Sequence, residues 1–194
     1  MAVTNVLMCG VGGQGIILAS EVLAKVAAES GLDVKKSDVH GMAQRGGSVT
    51  SHVRFGDKVY SPLIPDGEAD ILFASEYLEG LRYLPHLKPD GKAVVNTQEI
   101  YPPTVSRGEC SYPGEIIGAV RECDPDCVAI QCLETARECG NVKTATVVLL
   151  GALSMLLGFD YDLWMKILKE EVPKKAVDVN VVAFDKGREL GARD

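Results

Sequence analysis

Four glycines within six positions form the pattern in this chain that is best suited to bind an anion. The stretch Gly10-Val11-Gly12-Gly13-Gln14-Gly15 follows an apolar run and precedes an apolar-periodic segment, which is typical of a strand, a tight turn and a helix N-terminus. Free N–H groups in the first turn of such a helix, together with its dipole, favour a negatively charged ligand. Gly10 and Gly12 would make room for the turn and the ligand, and Gly15 would let the helix pack closely on the strand. The alternative is that the glycines only close a turn and bind nothing.

A second glycine-rich stretch is His40-Gly41-Met42-Ala43-Gln44-Arg45-Gly46-Gly47-Ser48. Its glycine content disfavours a helix and its polarity disfavours a core strand, so we predict a loop. Because it follows the second predicted strand, it should lie beside the first glycine turn, at the sheet edge where ligands bind in open α/β folds. Arg45 offers a planar set of donors suited to phosphate or carboxylate, and His40 can titrate near neutrality. Alternatively, this is a surface loop in which Arg45 pairs with a nearby acid.

A dinucleotide site would also need an acid at the end of the second strand. Asp38 lies 23 residues after Gly15, which is near the usual offset for the acid that binds a ribose. A nicotinamide or flavin enzyme therefore remains open. The chain has no GxSxG elbow and no Walker motif, and His40, His52 and His86 lack metal-ligand spacing. The sequence therefore predicts a nucleotide-shaped pocket without catalytic residues of its own.

The cysteines do not form a recognisable metal site. There are six, but no two have the CxxC spacing usual for zinc or iron–sulfur ligation. Cys9 lies in the first predicted strand and is expected to be a small core residue. We therefore predict no metal on this chain.

The composition limits the class of protein. The chain has 194 residues, 46% hydrophobic and 24% charged, with a formal net charge of −7, as expected for a soluble globular protein. The negative charge and the lack of a basic stripe argue against a nucleic-acid partner. The apolar stretch Val147–Leu157 is too short to span a bilayer, and the polar start Thr4-Asn5 is unlike a signal peptide. We therefore expect a cytoplasmic protein with one domain over residues 1–194 and no membrane partner.

The elements that would position these residues alternate between strand and helix. A strand over 3–9, a helix over Ile16–Ser30 and a strand over Asp33–Asp38 predict a βαβ unit with a right-handed crossover. Alternation over Val49–Tyr60 predicts a β-hairpin with a Gly-Asp turn. Further strands are predicted over Ala69–Ala74, Lys92–Asn96 and Val128–Ile130, and helices over Tyr77–Leu84, Glu115–Glu122, about Thr144–Leu157 after an Asn141 cap, a segment capped by Asp160, and Val177–Leu190. The predicted fold class is α/β: a Rossmann-like three-layer fold with a mostly parallel sheet and a β-hairpin insertion.

Taken together, the motifs resemble those of a known family. They are Gly10–Gly15, His40–Ser48, Tyr60-Ser61-Pro62-Leu63-Ile64-Pro65, and Asn141-Val142-Lys143-Thr144 before the apolar helix with Leu150-Gly151-Ala152-Leu153. Over nearly its full length the chain resembles the gamma-type subunit of 2-oxoacid:ferredoxin oxidoreductases, and within that family the beta subunit of the indolepyruvate enzymes. Residues 97–132 carry little recognisable signature.

The resemblance implies a hetero-oligomeric enzyme that oxidatively decarboxylates a 2-oxoacid, indolepyruvate or another aryl pyruvate, in a reaction that uses coenzyme A and reduces ferredoxin. Thiamine diphosphate and iron–sulfur clusters would lie on a catalytic partner subunit, which would transfer electrons to ferredoxin, and the isolated chain would be inactive.

This chain would then contribute to coenzyme A binding, with phosphates held by the glycine-turn amides and Arg45. The candidate binding residues are Gly10, Gly12, Gly13, Gln14, Gly15, Asp38, His40, Gln44, Arg45, Gly46, Gly47, Asn141 and Lys143. Two alternatives stay open: a stand-alone NAD(P)- or flavin-binding oxidoreductase, and a structural partner whose glycine turn is empty.

Overall fold

A six-stranded sheet with helices on both faces is the frame of the molecule in a computed structural model, which describes residues 2–40 and 46–192. In these ranges the strands are β1 Thr4–Val11, β2 Asp33–His40, β3 Ser48–Gly56, β4 Ala69–Ala74, β5 Leu87–Asn96 and β6 Val128–Ile130. The helices are α1 Ile16–Glu29, α2 Tyr77–Tyr83, α3 Pro103–Ser106, α4 Ile116–Cys123, α5 Cys132–Glu138, α6 Ala145–Ser154, α7 Tyr161–Glu171 and α8 Val177–Gly191.

The strand order is β2-β3-β1-β4-β5-β6. Strands β1, β4, β5 and β6 are parallel neighbours, whereas β3 lies between β2 and β1 and runs antiparallel to both. All strands except β3 therefore point the same way, which confirms the predicted α/β fold with a mostly parallel sheet.

One prediction about this part of the sheet is wrong. The segment Val49–Tyr60 is not a hairpin: it contains the single strand β3, which pairs along its length with both neighbours, and the chain leaves the sheet after Gly56. Strands β1 and β2 run the same way and are joined by α1, as in the predicted βαβ unit, but β3 lies between them. Alternation of apolar residues indicates that a strand is half-buried, but it does not identify the strand's partner.

Strand β1 lies at the centre and contributes to both cores. Val6 and Met8 pack into the core under α1, α6, α7 and α8, whereas Leu7 and Cys9 pack into the core under α2 and α4. This confirms that Cys9 is a core residue, and burial raises the pKa of its thiol. The three-layer arrangement follows from this division, and it leaves the carboxyl ends of β1, β4 and β5 at one edge.

The predicted apolar helix is α6, and its position in the core explains why it is apolar on nearly every side. Its residues from Thr146 to Ser154 are buried, and it packs on α8 with backbone in direct contact. A Cβ added at Gly151 would lie 2.1 Å from the Phe184 carbonyl oxygen, and one added at Gly187 would lie 1.8 Å from the Val148 carbonyl oxygen. The helix is therefore central within the chain.

Local signals place several element ends correctly. Gly31 ends α1 with a φ of 84°, and the Asp160 side chain accepts a hydrogen bond from the Asp162 amide at the start of α7. β4 and β6 have the predicted bounds. Across residues 2–40 and 46–192, no helix combines the length and apolar character needed to cross a bilayer.

The segment between β3 and β4 is attached to the sheet by polar side chains. Arg54 donates from one terminal nitrogen to the carbonyl oxygens of Ser61 and Leu63, at 2.9 and 2.8 Å. His52 Nδ1 accepts a hydrogen bond of 3.2 Å from the Ile64 amide. This bond requires an unprotonated Nδ1, and burial together with His86 and Arg54 lowers the pKa of His52.

We expect His52→Asn to reduce the loss of stability on acidification. The folded pKa of His52 lies below its unfolded value, so the native state binds fewer protons, and stability falls as pH drops through about 6.5. Asn keeps an acceptor near the Ile64 amide but does not titrate in this range. Urea midpoints at pH 7 and pH 5 check this: the decrease should be smaller in the variant, and an equal decrease would contradict the assignment.

Candidate functional site

The glycine turn joins β1 to α1 and is formed by residues 12–15. Gly13 and Gly15 have φ values of 103° and 92°, which lie in the left-handed region that glycine adopts without strain. Gly15 is therefore required for its backbone angle rather than for helix–strand packing, since the nearest atom to an added Cβ would be 4.0 Å away.

Gly10 has a different role from the one predicted. It lies within β1, opposite Val49 of β3, and not in the turn. A Cβ at this position would lie 2.0 Å from Ser75 Oγ. Gly10 thus allows the close approach of the residue that follows β4.

Gln14 connects the turn to the neighbouring strands. Its Oε1 accepts from the Val11 amide at 2.8 Å and from Ser75 Oγ at 2.9 Å. Its Nε2 donates to the Ser75 carbonyl at 2.8 Å, and its own carbonyl oxygen accepts from Thr146 Oγ1 on α6 at 2.5 Å. Gln14 therefore acts as a support for the shape of the turn, with its side-chain amide directed into the protein.

The second glycine-rich stretch lies beside this turn, as predicted, in the part that the structure describes. The Gly12 amide donates to the Gly47 carbonyl at 2.8 Å, and the Gly46 amide donates to the Gly12 carbonyl at 3.4 Å. Gln44 and Arg45 lie outside the described residues, and for His40 only the backbone, at the end of β2, is described. The predicted roles of these three side chains stay predictions.

The turn presents unused hydrogen-bond donors. The amides of Gly13 and Gly15 donate no hydrogen bond to any described residue, and the first N–H groups of α1 have no acceptor within the helix. A cavity of about 460 Å³ borders the turn, Ile17 and Val49. These groups are suited to hold an anion that arrives from solvent.

Asn141 and Lys143 lie on the same side of the molecule as the turn. The Asn141 side chain accepts from the Lys143 amide at 3.0 Å and caps the short 3₁₀ turn Val142–Thr144 that leads into α6. Lys143 lines a cavity of about 430 Å³ together with Gly13, Gln14 and Gly15. It forms no ion pair within the described ranges, so its ammonium group is available to a ligand.

Asp38 lies apart from these residues. It lies on the edge strand β2, with β3 between it and β1. Its carboxylate accepts from Ser51 Oγ at 2.6 Å and pairs with Lys36 at 3.2 Å. This placement removes the geometric reason for assigning a ribose to Asp38, because that assignment required β2 to be the neighbour of β1.

Sequence reasoning gave no part in the site to the polar residues that follow β4 and end β5. The Ser75 carbonyl also accepts from Asn96 Nδ2 at 2.9 Å. Glu76, just before α2, and Glu79, within α2, are both buried. A signal for Ser75, Glu76 and Asn96 exists in the sequence, because these polar residues follow or end a buried strand whose carboxyl end faces the site edge. Glu79 lies within α2 and has no such signal.

Within the described ranges, no three His, Cys, Asp or Glu side chains are grouped so as to hold a metal ion. Of the cysteines, Cys9 and Cys132 are buried, and Cys139 lies at the C-terminal end of α5.

Comparisons with known proteins agree on one family. The family profile described as Pyruvate ferredoxin/flavodoxin oxidoreductase matches residues 5–190. The indolepyruvate oxidoreductase subunit IorB of Pyrococcus horikoshii is 43% identical over 94% of this chain and 93% of its own. The 2-oxoglutarate synthase subunit KorC of Methanothermobacter marburgensis is 30% identical over 96% of this chain and 95% of its own.

Solved structures show the same fold. The gamma subunit of a keto/oxoacid ferredoxin oxidoreductase from Geobacter sulfurreducens has a TM-score of 0.71 and 26% identity, covering 97% of this chain and 98% of that chain. A 2-oxoglutarate:ferredoxin oxidoreductase from Magnetococcus marinus, solved with 2-oxoglutarate, coenzyme A and succinyl-CoA bound, has a TM-score of 0.77 at 24% identity. The match covers 98% of this chain but 31% of that one, so there the fold is one part of a longer polypeptide.

Proposed function

Because the chain belongs to the pyruvate ferredoxin/flavodoxin oxidoreductase family, we propose that it is the non-catalytic, gamma-type subunit of an indolepyruvate:ferredoxin oxidoreductase. The enzyme would oxidatively decarboxylate indolepyruvate or another aryl pyruvate, transfer the acyl group to coenzyme A and reduce ferredoxin. The assignment of indolepyruvate as the substrate rests on sequence identity. The chain is 43% identical to IorB over 94% of its length, but only 30% identical to the 2-oxoglutarate subunit KorC. No observation favours the stand-alone nicotinamide or flavin enzyme.

The contribution of this chain to the reaction is to bind and orient coenzyme A through its phosphates. The donor set fits this ligand: the Gly13 and Gly15 amides carry no other bond among the described residues, and Lys143 adds a positive charge at the same cavity. Charge-assisted hydrogen bonds of this kind are well suited to phosphate. Gln14 would act indirectly, since it holds the turn in the shape that presents these amides.

The other cofactors belong, in this proposal, to a catalytic partner subunit. Thiamine diphosphate would supply the carbanion chemistry there, and iron–sulfur clusters would supply the path of electrons to ferredoxin. The partner would dock at the carboxyl edge of the sheet, where Ile17 and Val142 are 43% and 46% exposed on either side of the glycine turn. A partner subunit that docks there would cover both apolar side chains.

Reconstitution tests the proposed function. The partner subunit alone and the complex with this chain are assayed for indolepyruvate-dependent reduction of ferredoxin while coenzyme A is titrated. Activity that needs this chain supports the proposal, whereas a purified chain that carries flavin absorbance or a bound nicotinamide would favour the stand-alone enzyme.

Lys143→Ala tests the coenzyme A site. Loss of one lysine–phosphate contact should raise the KM for coenzyme A about tenfold, which corresponds to about 1.4 kcal/mol, with little change in the KM for indolepyruvate. The matched control is Lys175→Ala, an exposed lysine in the 3₁₀ turn Lys174–Ala176, which should leave both values unchanged. Arg45→Ala tests the sequence-based assignment in the same titration. An unchanged coenzyme A KM in Lys143→Ala would remove Lys143 from the site.

A further inference from the structure

A third cavity, of about 390 Å³, lies on the α2 side of the glycine turn. Val11 and Gly46, from the two glycine-rich segments, form one wall, and Ile100 and Tyr101 form another. Its polar lining includes Ser48, Glu79 and Arg82. None of these polar groups has a part in the coenzyme A site proposed above.

Glu79 is the buried acid of this cavity, with only 4% of its surface exposed. One carboxylate oxygen accepts from Ser48 Oγ at 2.5 Å, and the other lies 3.3 Å from Arg82 Nε. Burial raises the pKa of Glu79, while the Ser48 hydrogen bond and Arg82 act against that rise. Its carboxyl group therefore connects the end of the second glycine-rich segment to the arginine.

The neighbouring acid, Glu76, has only structural partners. One of its oxygens accepts from the Glu79 amide at 2.8 Å and caps α2. The other accepts from the Ile100 amide and from the Tyr112 hydroxyl, both at 2.9 Å. Glu76 thus holds the cavity wall in place, with both carboxylate oxygens bonded to the protein.

Arg82 contacts Glu79 through Nε, and its two terminal guanidinium nitrogens are not used in that contact. The two terminal nitrogens have no acceptor within residues 2–40 and 46–192. The side chains of Arg82 and Arg137 are similarly exposed, at 52% and 55%. The two pairs differ in the acid and in the nitrogen used: the Glu79 side chain is 6% exposed and meets Nε, whereas Glu134 is 61% exposed and meets a terminal nitrogen of Arg137. A buried carboxylate that fixes Nε leaves the fork of terminal N–H groups free for a bidentate contact with an oxyanion.

We propose that this cavity binds an oxyanion of an organic substrate through the terminal guanidinium nitrogens of Arg82, with Glu79 as the residue that positions Arg82. The proposal rests on the proposed function, in which both substrates carry such a group: the carboxylate of the 2-oxoacid and the phosphates of coenzyme A. The apolar wall of Ile100 and Tyr101 suits an organic anion better than an inorganic one. Ser48 ties the cavity to the glycine-rich segments, so the two sites adjoin.

The test uses the reconstituted complex with Arg82→Gln, Arg82→Lys and Glu79→Gln. In Arg82→Gln the KM of one substrate should rise about tenfold or more, with a smaller change in kcat, and the substrate affected identifies the source of the oxyanion. Arg82→Lys should recover part of the loss, because it keeps the charge but not the fork. Glu79→Gln should raise the same KM less than Arg82→Gln. The matched control is Arg137→Gln, which removes an i,i+3 arginine from a solvent-exposed pair and should change neither KM.

Unchanged KM values for both substrates in Arg82→Gln, in a complex as active as wild type, would overturn the cavity assignment and leave the proposed function intact. If the wild-type complex does not oxidise indolepyruvate, the proposed function fails. Calorimetric titration of the full chain with coenzyme A and with indole-3-acetate then tests the cavity assignment independently of the proposed function. At least one of the two should bind wild type about tenfold more tightly than Arg82→Gln, and equal binding or none would overturn the assignment. Equal thermal melts of Arg82→Gln and Arg137→Gln exclude misfolding as the cause.

Discussion

Gly187→Ala should destabilise the protein by about 3 kcal/mol or more. In a free helix the same change is favourable by about 1 kcal/mol, because Ala has the higher helix propensity. Here the added Cβ would lie 1.8 Å from the Val148 carbonyl oxygen of α6, so the two backbones must move apart along a contact between two core helices. Urea denaturation followed by circular dichroism measures the loss, and Gly151→Ala, whose Cβ meets the Phe184 carbonyl, should behave in the same way.

Gly118→Ala is the matched control. Gly118 also lies in a helix, α4, but the nearest atom to an added Cβ is the end of the flexible Glu115 side chain, at 3.8 Å. That variant should be neutral or slightly stabilised, because only the helix-propensity term applies. A Gly187→Ala protein as stable as Gly118→Ala would show that α6 and α8 do not touch as described.

Gln14→Leu should weaken the binding of coenzyme A to the reconstituted enzyme and also reduce the free energy of unfolding by about 2 kcal/mol. Leucine fills a similar volume but leaves the Val11 amide without its acceptor and deletes both contacts with Ser75. The turn would lose the support that presents the Gly13 and Gly15 amides, so the KM for coenzyme A should rise about a hundredfold, more than in Lys143→Ala, which removes one contact only.

Gln131→Leu controls for the loss of a glutamine amide. Gln131 is exposed at the start of α5, and its side chain makes no capping hydrogen bond. This variant should keep the wild-type urea midpoint and coenzyme A titration. A Gln14→Leu protein with a normal coenzyme A KM would contradict the role of Gln14 as the support of an anion-binding turn.

The amino-acid sequence alone was sufficient for features that depend on neighbouring residues. A strand, four glycines and a helix can be identified in Val6–Ala19 because turn geometry and helix capping are short-range effects. For the same reason, the end of α1 at Gly31, the Asp160 cap and the bounds of β4 were predictable. The motifs also indicated the family, and their order along the chain indicated that the second glycine-rich stretch would lie beside the first.

Features that depend on contacts between residues far apart in the sequence were decided only by the tertiary structure. The alternation in β3 is the same for a hairpin arm as for a strand inserted between β2 and β1, so only the pairing placed Asp38 away from the glycine turn. The close approach that requires Gly10 comes from Ser75, which is 65 residues away in sequence. The hydrogen bonds from Thr146 to the Gln14 carbonyl and from Ser48 to Glu79 also join residues that are far apart in the sequence. Such contacts form only when separate strands and helices meet at one edge, because their energies depend on the packing of the whole sheet and not on local residue order.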